Sequence, residues 1–75
     1  MTKRALITDA ASGIGAVIAC EARRAGYEVV ISDIDEDTGR ALAEAHGLTF
    51  IRADLAAEDE IVALVRQVGC VDLLV

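Results

Sequence analysis

The chain has no proline and no tryptophan, and its whole aromatic set is Tyr27 and Phe50. Without more aromatic faces it cannot build a stacking platform for single-stranded nucleic acid. Basic residues are also few: 7 Lys and Arg stand against 13 Asp and Glu, a net charge of −6. A phosphate backbone would be repelled overall, so a DNA or RNA partner is disfavoured. One histidine and two cysteines, Cys20 and Cys70, with no CxxC pair, give neither a metal set nor a disulfide scaffold. No apolar run is long. The longest, residues 14–20, falls well short of the ~20 residues that span a bilayer. The apolar part after Lys3 and Arg4 stops at Thr8 and Asp9, too soon for the core of a signal peptide. No membrane partner is expected, and the expected location is cytoplasmic.

What is present is a 75-residue chain, 55% apolar and 27% charged. That suits one small domain and is too apolar for disorder. Short β-rich runs alternate with helical patterns. Residues 5–8, 28–32, 48–52 and 71–75 read as strands, and 12–25, 36–46 and 58–68 as helices. The expected apolar stripes are Ile14, Val17, Ile18, Ala22 and Ala25 on the first helix, then Thr38, Ala41, Leu42 and Ala45 on the second. Ile61, Leu64, Val65 and Val68 form the third. Gly26, Gly47 and Gly69 each follow a helix where a left-handed residue is wanted. Asp35 can cap the second helix, whereas Ala57 leaves the third without a side-chain cap.

Strands without strict polar alternation imply burial on both faces, hence a parallel sheet with helical crossovers. The expected fold is α/β: half of a doubly wound Rossmann fold, four parallel strands in the order 3-2-1-4 with three helices. Two helices would cover one face and one the other. The sheet would then be incomplete on one face and at the edge of the fourth strand, where Val71, Leu73, Leu74 and Val75 lie.

The chemistry concentrates at the exits of the strands. Residues 8–15, Thr-Asp-Ala-Ala-Ser-Gly-Ile-Gly, link the first strand to the first helix. Small residues there let a backbone approach a pyrophosphate at a helix N-terminus. Asp33 lies about 20 residues beyond Gly13 at the end of the second strand, where an acid bonds a ribose 2′-hydroxyl and repels a 2′-phosphate. Asp54 follows the third strand on the same edge. The same residues also fit a tight turn with two solvated loop acids. Other singled-out residues read as structural: Cys20 as small core filler, Cys70 as an unactivated thiol, His46 as a helix-end residue. Asp35-Glu36-Asp37 and Glu58-Asp59-Glu60 read as helix-start charge, and Arg23-Arg24 as its helix-end counterpart.

These residues resemble the short-chain dehydrogenase/reductases, whose N-terminal motif is Thr-Gly-x-x-x-Gly-x-Gly, commonly ending Ala-Ser-Gly-Ile-Gly. Here stand Thr8 and Ala11-Ser12-Gly13-Ile14-Gly15. The likeness continues through residues 29–35, Ala53-Asp54-Leu55 and Asp72-Leu73-Leu74-Val75, essentially the whole chain. It implies an adenine dinucleotide partner, with Thr8 and Gly13 in the nucleotide turn and Ser12, Ile14 and Gly15 along its phosphate and ribose side. Asp33 and Ile34 would hold the adenosine ribose, and Asp54 and Leu55 would flank adenine. Asp33 in that role implies NAD in preference to NADP.

Two departures stand out. Asp9 occupies the first glycine position of the motif. A carboxylate beside the pyrophosphate would cost roughly one to three decades of affinity, besides the left-handed backbone. The family's Asn-Asn-Ala-Gly and Tyr-x-x-x-Lys parts have no match, and Tyr27 is followed four residues on by Ile31. Residues 1–75 are therefore expected to form a partial NAD(P)-binding Rossmann domain, not catalytic by itself, with no catalytic and no metal-binding residues. The complete family member would pass hydride between NAD and an alcohol or carbonyl. The alternative is a non-catalytic half-Rossmann interaction module, or an inactive truncated product, pairing through its open edge with itself or a missing C-terminal half.

Overall fold

Val29, Val30 and Ile31 carry no polar residue between them, and the strand they form is buried on both faces. The computed structural model describes residues 2–11 and 13–75. Seven elements follow one another: β1 (Arg4–Thr8), α1 (Gly13–Arg24), β2 (Glu28–Asp33), α2 (Glu36–His46), β3 (Thr49–Arg52), α3 (Glu58–Val68) and β4 (Leu73–Leu74). The four strands form one sheet in the order β3-β2-β1-β4, every neighbouring pair parallel. This is the expected order, and right-handed crossovers are what impose it on a βα repeat.

The period of two along the strands divides the core. Ala5, Ile7, Val29 and Ile31 point to one face and pack with Ala19 and Ala22 of α1 and Ala43 of α2. Leu6 and Val30 point to the other face and meet Leu64 and Val68 of α3. Two helices thus cover one face and one the other.

The helical stripes differ from the sequence expectation. Ile14 and Val17 are 79% and 63% exposed, and the contact face of α1 is Ala19 together with the expected Ile18 and Ala22. On α2 the buried positions are Gly39 and Ala43, with Leu42 half-buried, while Thr38, Ala41 and Ala45 face solvent. On α3, Leu64 and Val68 are buried, but Ile61 and Val65 are exposed. On α1 and α2 small residues take the buried contact positions, which lets each helix axis approach the sheet closely. Gly39 is the extreme case. The Phe50 ring of β3 occupies the place where a Cβ would stand.

The strand at the chain's end is shorter than expected, two residues rather than five. It has a partner on one side only, pairing Leu73 with Ala5 and Leu74 with Leu6. Helix ends follow the sequence signals with one departure. Asp35 caps α2, accepting from the Thr38 N–H at 3.2 Å and its hydroxyl at 2.9 Å. Gly47 closes the same helix in the left-handed region, φ 69° and ψ 38°. Ala57 makes no side-chain cap, as its methyl dictates. Gly69, however, takes φ 77° and ψ −146°, outside the left-handed helical well. There the Arg4 guanidinium donates to the Val68 carbonyl at 2.6 Å and does part of the capping.

Candidate functional site at the carboxyl edge

Thr8 pairs in register with Ser32, and Asp33 with Arg52. The exits of β1, β2 and β3 therefore lie side by side, and the loops leaving them share one edge. Thr8 itself is turned to structural use. Its Oγ1 and its amide both donate to the Val75 carbonyl at 2.8 Å. Asp9 then reverses the chain with φ 54°, the one positive φ outside glycine among the described residues. Asp and Asn tolerate that region better than most side chains do. Ala10 is fully buried and donates its N–H to the Ser32 carbonyl at 3.2 Å.

Asp33 organises the edge. It is 8% exposed, and each carboxylate oxygen accepts a backbone amide: Oδ2 from Ala11 at 3.0 Å and Oδ1 from Asp35 at 2.9 Å. One side chain thus ties the turn after β1 to the start of α2. Asp54 is half-buried, its Oδ1 accepting from the Ala56 amide at 2.9 Å. Its own N–H donates to Glu60 Oε1 at 3.0 Å. At the start of α2, Asp35 has a lowered pKa. The N–H and hydroxyl of Thr38 hold its carboxyl below the ordinary value.

Between these loops lies a cleft of about 300 Å³ lined by Asp9, Asp33, Ile34, Ala53, Asp54, Leu55 and Ala56. Ile34 and Leu55 are 54% and 41% exposed and form its apolar surface. The expected residues Asp33, Ile34, Asp54 and Leu55 are thus brought together, with Asp9 among them. Gly13, Ile14 and Gly15 lie beside the cleft at the start of α1, not in its lining. Thr8 faces an apolar groove with Leu6, Leu55 and Val75. Ser12 lies outside the described residues.

Gly15 is where the first turn of α1 rests on the loop. A Cβ there would stand 2.5 Å from the Asp9 carbonyl oxygen and 3.0 Å from Ala10 Cα. A Cβ added to Gly13 would meet nothing within 4 Å. No acid occupies the first turn of α1, and the positive end of a helix dipole favours an anion. Carboxylates accept bonds from hydroxyls or an amino group, and Ile34 and Leu55 can flank a flat ring. This donor and acceptor set fits a nucleoside joined to a phosphate, with Asp9 the one discordant charge.

Glu60 escaped sequence reading as a site residue. At the third position of α3 its charge looks like dipole compensation, and that position is where a glutamate reaches back in a capping box. Its partner is the Asp54 amide rather than the cap itself, which the sequence does not reveal. Tyr27 lines a separate cleft with Thr2, Arg23 and Gly47, before β2 and away from the carboxyl edge. Cys20 is half-buried and Cys70 exposed. No group of three or more His, Cys, Asp or Glu among the described residues is placed to hold a metal. No helix among them is long and apolar enough to cross a membrane.

The family model of the short chain dehydrogenases matches residues 3–75. The chain belongs to that family. It is 44% identical over 78 residues to L-fucose dehydrogenase of Oryctolagus cuniculus, an alignment covering 97% of this chain and 28% of that protein. It is 46% identical over 65 residues to tropinone reductase-like 2 of Erythroxylum coca, covering 84% and 24% of the two chains. Among solved structures, BdcA of E. coli in complex with NADPH superposes with a TM-score of 0.90 at 32% identity, over 96% of this chain and 30% of the other. The chain spans about a quarter of the length of the curated relatives it matches.

Proposed function

We propose that residues 1–75 form the cofactor-binding portion of a short chain dehydrogenase/reductase and hold the adenosine half of a nicotinamide dinucleotide. The observation that carries this reading is the buried Asp33 carboxylate, fixed by two backbone amides at the floor of a cleft shared with Ile34, Asp54 and Leu55. In the proposal Asp33 accepts from the ribose hydroxyls, and its amide bonds to Ala11 and Asp35 keep it in place. Ile34 and Leu55 hold the adenine ring, and Asp54 accepts from its amino group. Thr8, Ser12, Gly13, Ile14 and Gly15 are the residues proposed to meet the diphosphate side of the dinucleotide.

The bound dinucleotide supplies hydride chemistry at its nicotinamide, and these residues bind and orient its other end. Asp33 favours NAD, because a 2′-phosphate would meet a carboxylate already committed to two donors. In the complete family member the reaction would join NAD to an alcohol or carbonyl substrate. Calorimetric titration of the chain with NAD tests the reading. Saturable binding that Asp33→Ala abolishes supports it. No binding at millimolar NAD contradicts it.

A second reading rests on an apolar groove of about 380 Å³ lined by Leu6, Leu55, Ile61, Leu64, Val65, Leu74 and Val75. Val65 and Leu74 are 56% and 65% exposed, a surface of the kind that pairs with another chain. Light scattering on the 75-residue chain distinguishes a monomer from a self-associating module.

A further inference from the structure

Glu60 reaches back past the start of its own helix. A glutamate at the third helical position ordinarily bonds the amide of the cap residue. Here the Ala57 amide is donated to the Asp54 carbonyl at 3.0 Å. Glu60 Oε1 takes the Asp54 amide instead, also at 3.0 Å. The acid is half-buried, and its other contact is Arg52 at the end of β3, 3.5 Å away. Ala57 gives α3 no side-chain cap.

This bond lies where the sheet stops holding the chain. Pairing of β2 with β3 ends at Asp33 and Arg52, and the Ala53 amide donates to the Asp33 carbonyl at 3.2 Å. Asp54 then turns on itself, its Oδ1 accepting from Ala56 and its carbonyl from Ala57. Those two bonds shape the turn. The bond to Glu60 fastens it to a helix whose Leu64 and Val68 are buried with Leu6 and Val30. Asp54, Leu55 and Ala56 line the cleft, and Glu60 does not.

We propose that Glu60 is a positioning residue for base recognition, holding Asp54 and Leu55 where they meet the adenine ring. The inference rests on the cleft being the adenosine site. Glu60 acts through the Asp54 amide and touches no ligand. Without its oxygen that amide turns to water and the turn gains freedom, so the Asp54 carboxylate is less often in line with the amino group of adenine. The signature is a loss of selectivity between bases.

The test titrates the full 75-residue chain with NAD and with its hypoxanthine analogue, in which an oxo acceptor replaces the amino donor of adenine. The variants are Glu60→Ala, Glu60→Gln and the double variant Ala57→Ser with Glu60→Ala, each checked for folding by circular dichroism. Glu60→Gln keeps an oxygen for the Asp54 amide and loses the charge facing Arg52. The double variant gives α3 a side-chain cap without restoring the bond to Asp54. The preference for adenine over hypoxanthine is expected to fall about three- to tenfold in Glu60→Ala and to stay within about twofold of the parent in Glu60→Gln. The double variant should remain as low as Glu60→Ala. If Glu60→Ala does not fold alone, the double variant against the parent reads the same loss.

An unchanged preference in Glu60→Ala, with NAD still bound, overturns the positioning role and leaves the cofactor reading standing. A preference recovered in the double variant assigns the effect to helix stability and also overturns it. So does a loss in Glu60→Gln as large as in Glu60→Ala, which assigns the effect to charge. Failure of the parent chain to bind NAD at all overturns the cofactor reading, and this inference with it.

Discussion

The Asp33 carboxylate accepts the amide of Ala11 at 3.0 Å, so the tip of β2 holds the turn that leaves β1. The same carboxylate accepts the Asp35 amide at 2.9 Å. A residue that sequence reasoning assigns to ligand recognition is therefore also a structural tie between two loops. Changing it to alter cofactor preference would loosen the site as well.

Asp33→Ala is expected to cost about 1–3 kcal/mol, from two part-buried amides left without their charged acceptor. Asp33→Asn should cost less, because one oxygen still accepts while its NH2 faces the other amide. Urea unfolding followed by circular dichroism measures both. A loss below 0.5 kcal/mol for the alanine variant, to order of magnitude, would show that the tie carries no stability.

Gly15→Ala should damage the nucleotide turn selectively. The new Cβ meets backbone, the Asp9 carbonyl oxygen at 2.5 Å and Ala10 Cα at 3.0 Å, and backbone cannot rotate out of the way. The expected loss is about 1–3 kcal/mol, with amide shifts concentrated in residues 9–16. Native-like stability together with unshifted amides would refute the close approach.

Gly39→Ala inverts the usual helix rule. In an exposed helix interior the change gains about 0.5–1 kcal/mol. Here the Cβ would enter the Phe50 ring, so the chain is expected to lose stability. Combining it with Phe50→Leu should recover part of that loss, a coupling that a double-mutant cycle reads directly.

Ser32→Ala is expected to be neutral or stabilising by about 1 kcal/mol. Ser32 is 1% exposed and its Oγ has no hydrogen-bond partner among the described residues. Removing an unsatisfied buried hydroxyl removes its desolvation cost.

The cap of α2 predicts a pH dependence. The folded-state pKa of Asp35 lies below its usual value of 3.8 because Thr38 donates twice to the carboxylate. A depressed folded pKa means that the unfolded chain binds more protons as the solution turns acidic. The cap is then worth its full amount above the unfolded value, near pH 4, and is lost as pH falls through the folded value. The stability difference between the parent chain and Asp35→Ala should accordingly shrink between pH 5 and about pH 2. A difference that stays constant over that range would contradict it.

The strand order was legible because alternating strands and helices with right-handed crossovers leave few arrangements. The boundaries of α2 and α3 and the Asp35 cap were legible for local reasons: Asp35, Gly47 and Gly69 mark ends through their own backbone and side-chain preferences. The helix faces were legible only in part: Ile18, Ala22, Leu42, Leu64 and Val68 of the expected stripes pack on the core, and the other stripe members do not. Ile14 and Val17 recur at helical spacing, yet they are exposed and Ala19 joins the expected Ile18 and Ala22 against the core, because periodicity detects a stripe without saying what it faces. The last strand was overread from its apolar run, since pairing on one side supports only Leu73 and Leu74. At the site, Asp33 and Asp54 could be found from their positions at strand ends. The bonds from Ala11 to Asp33 and from Asp54 to Glu60 depend on loop paths that no spacing encodes.

The most direct measurement is an amide NMR titration of the 75-residue chain with NAD. Saturable shifts at Ala11, Gly13, Asp33, Ile34, Asp54 and Leu55, with little change at Tyr27 and Gly47 on the opposite edge, are the predicted result. Shifts confined to that opposite edge, or none at millimolar NAD, would contradict the assignment of the carboxyl edge as a dinucleotide site.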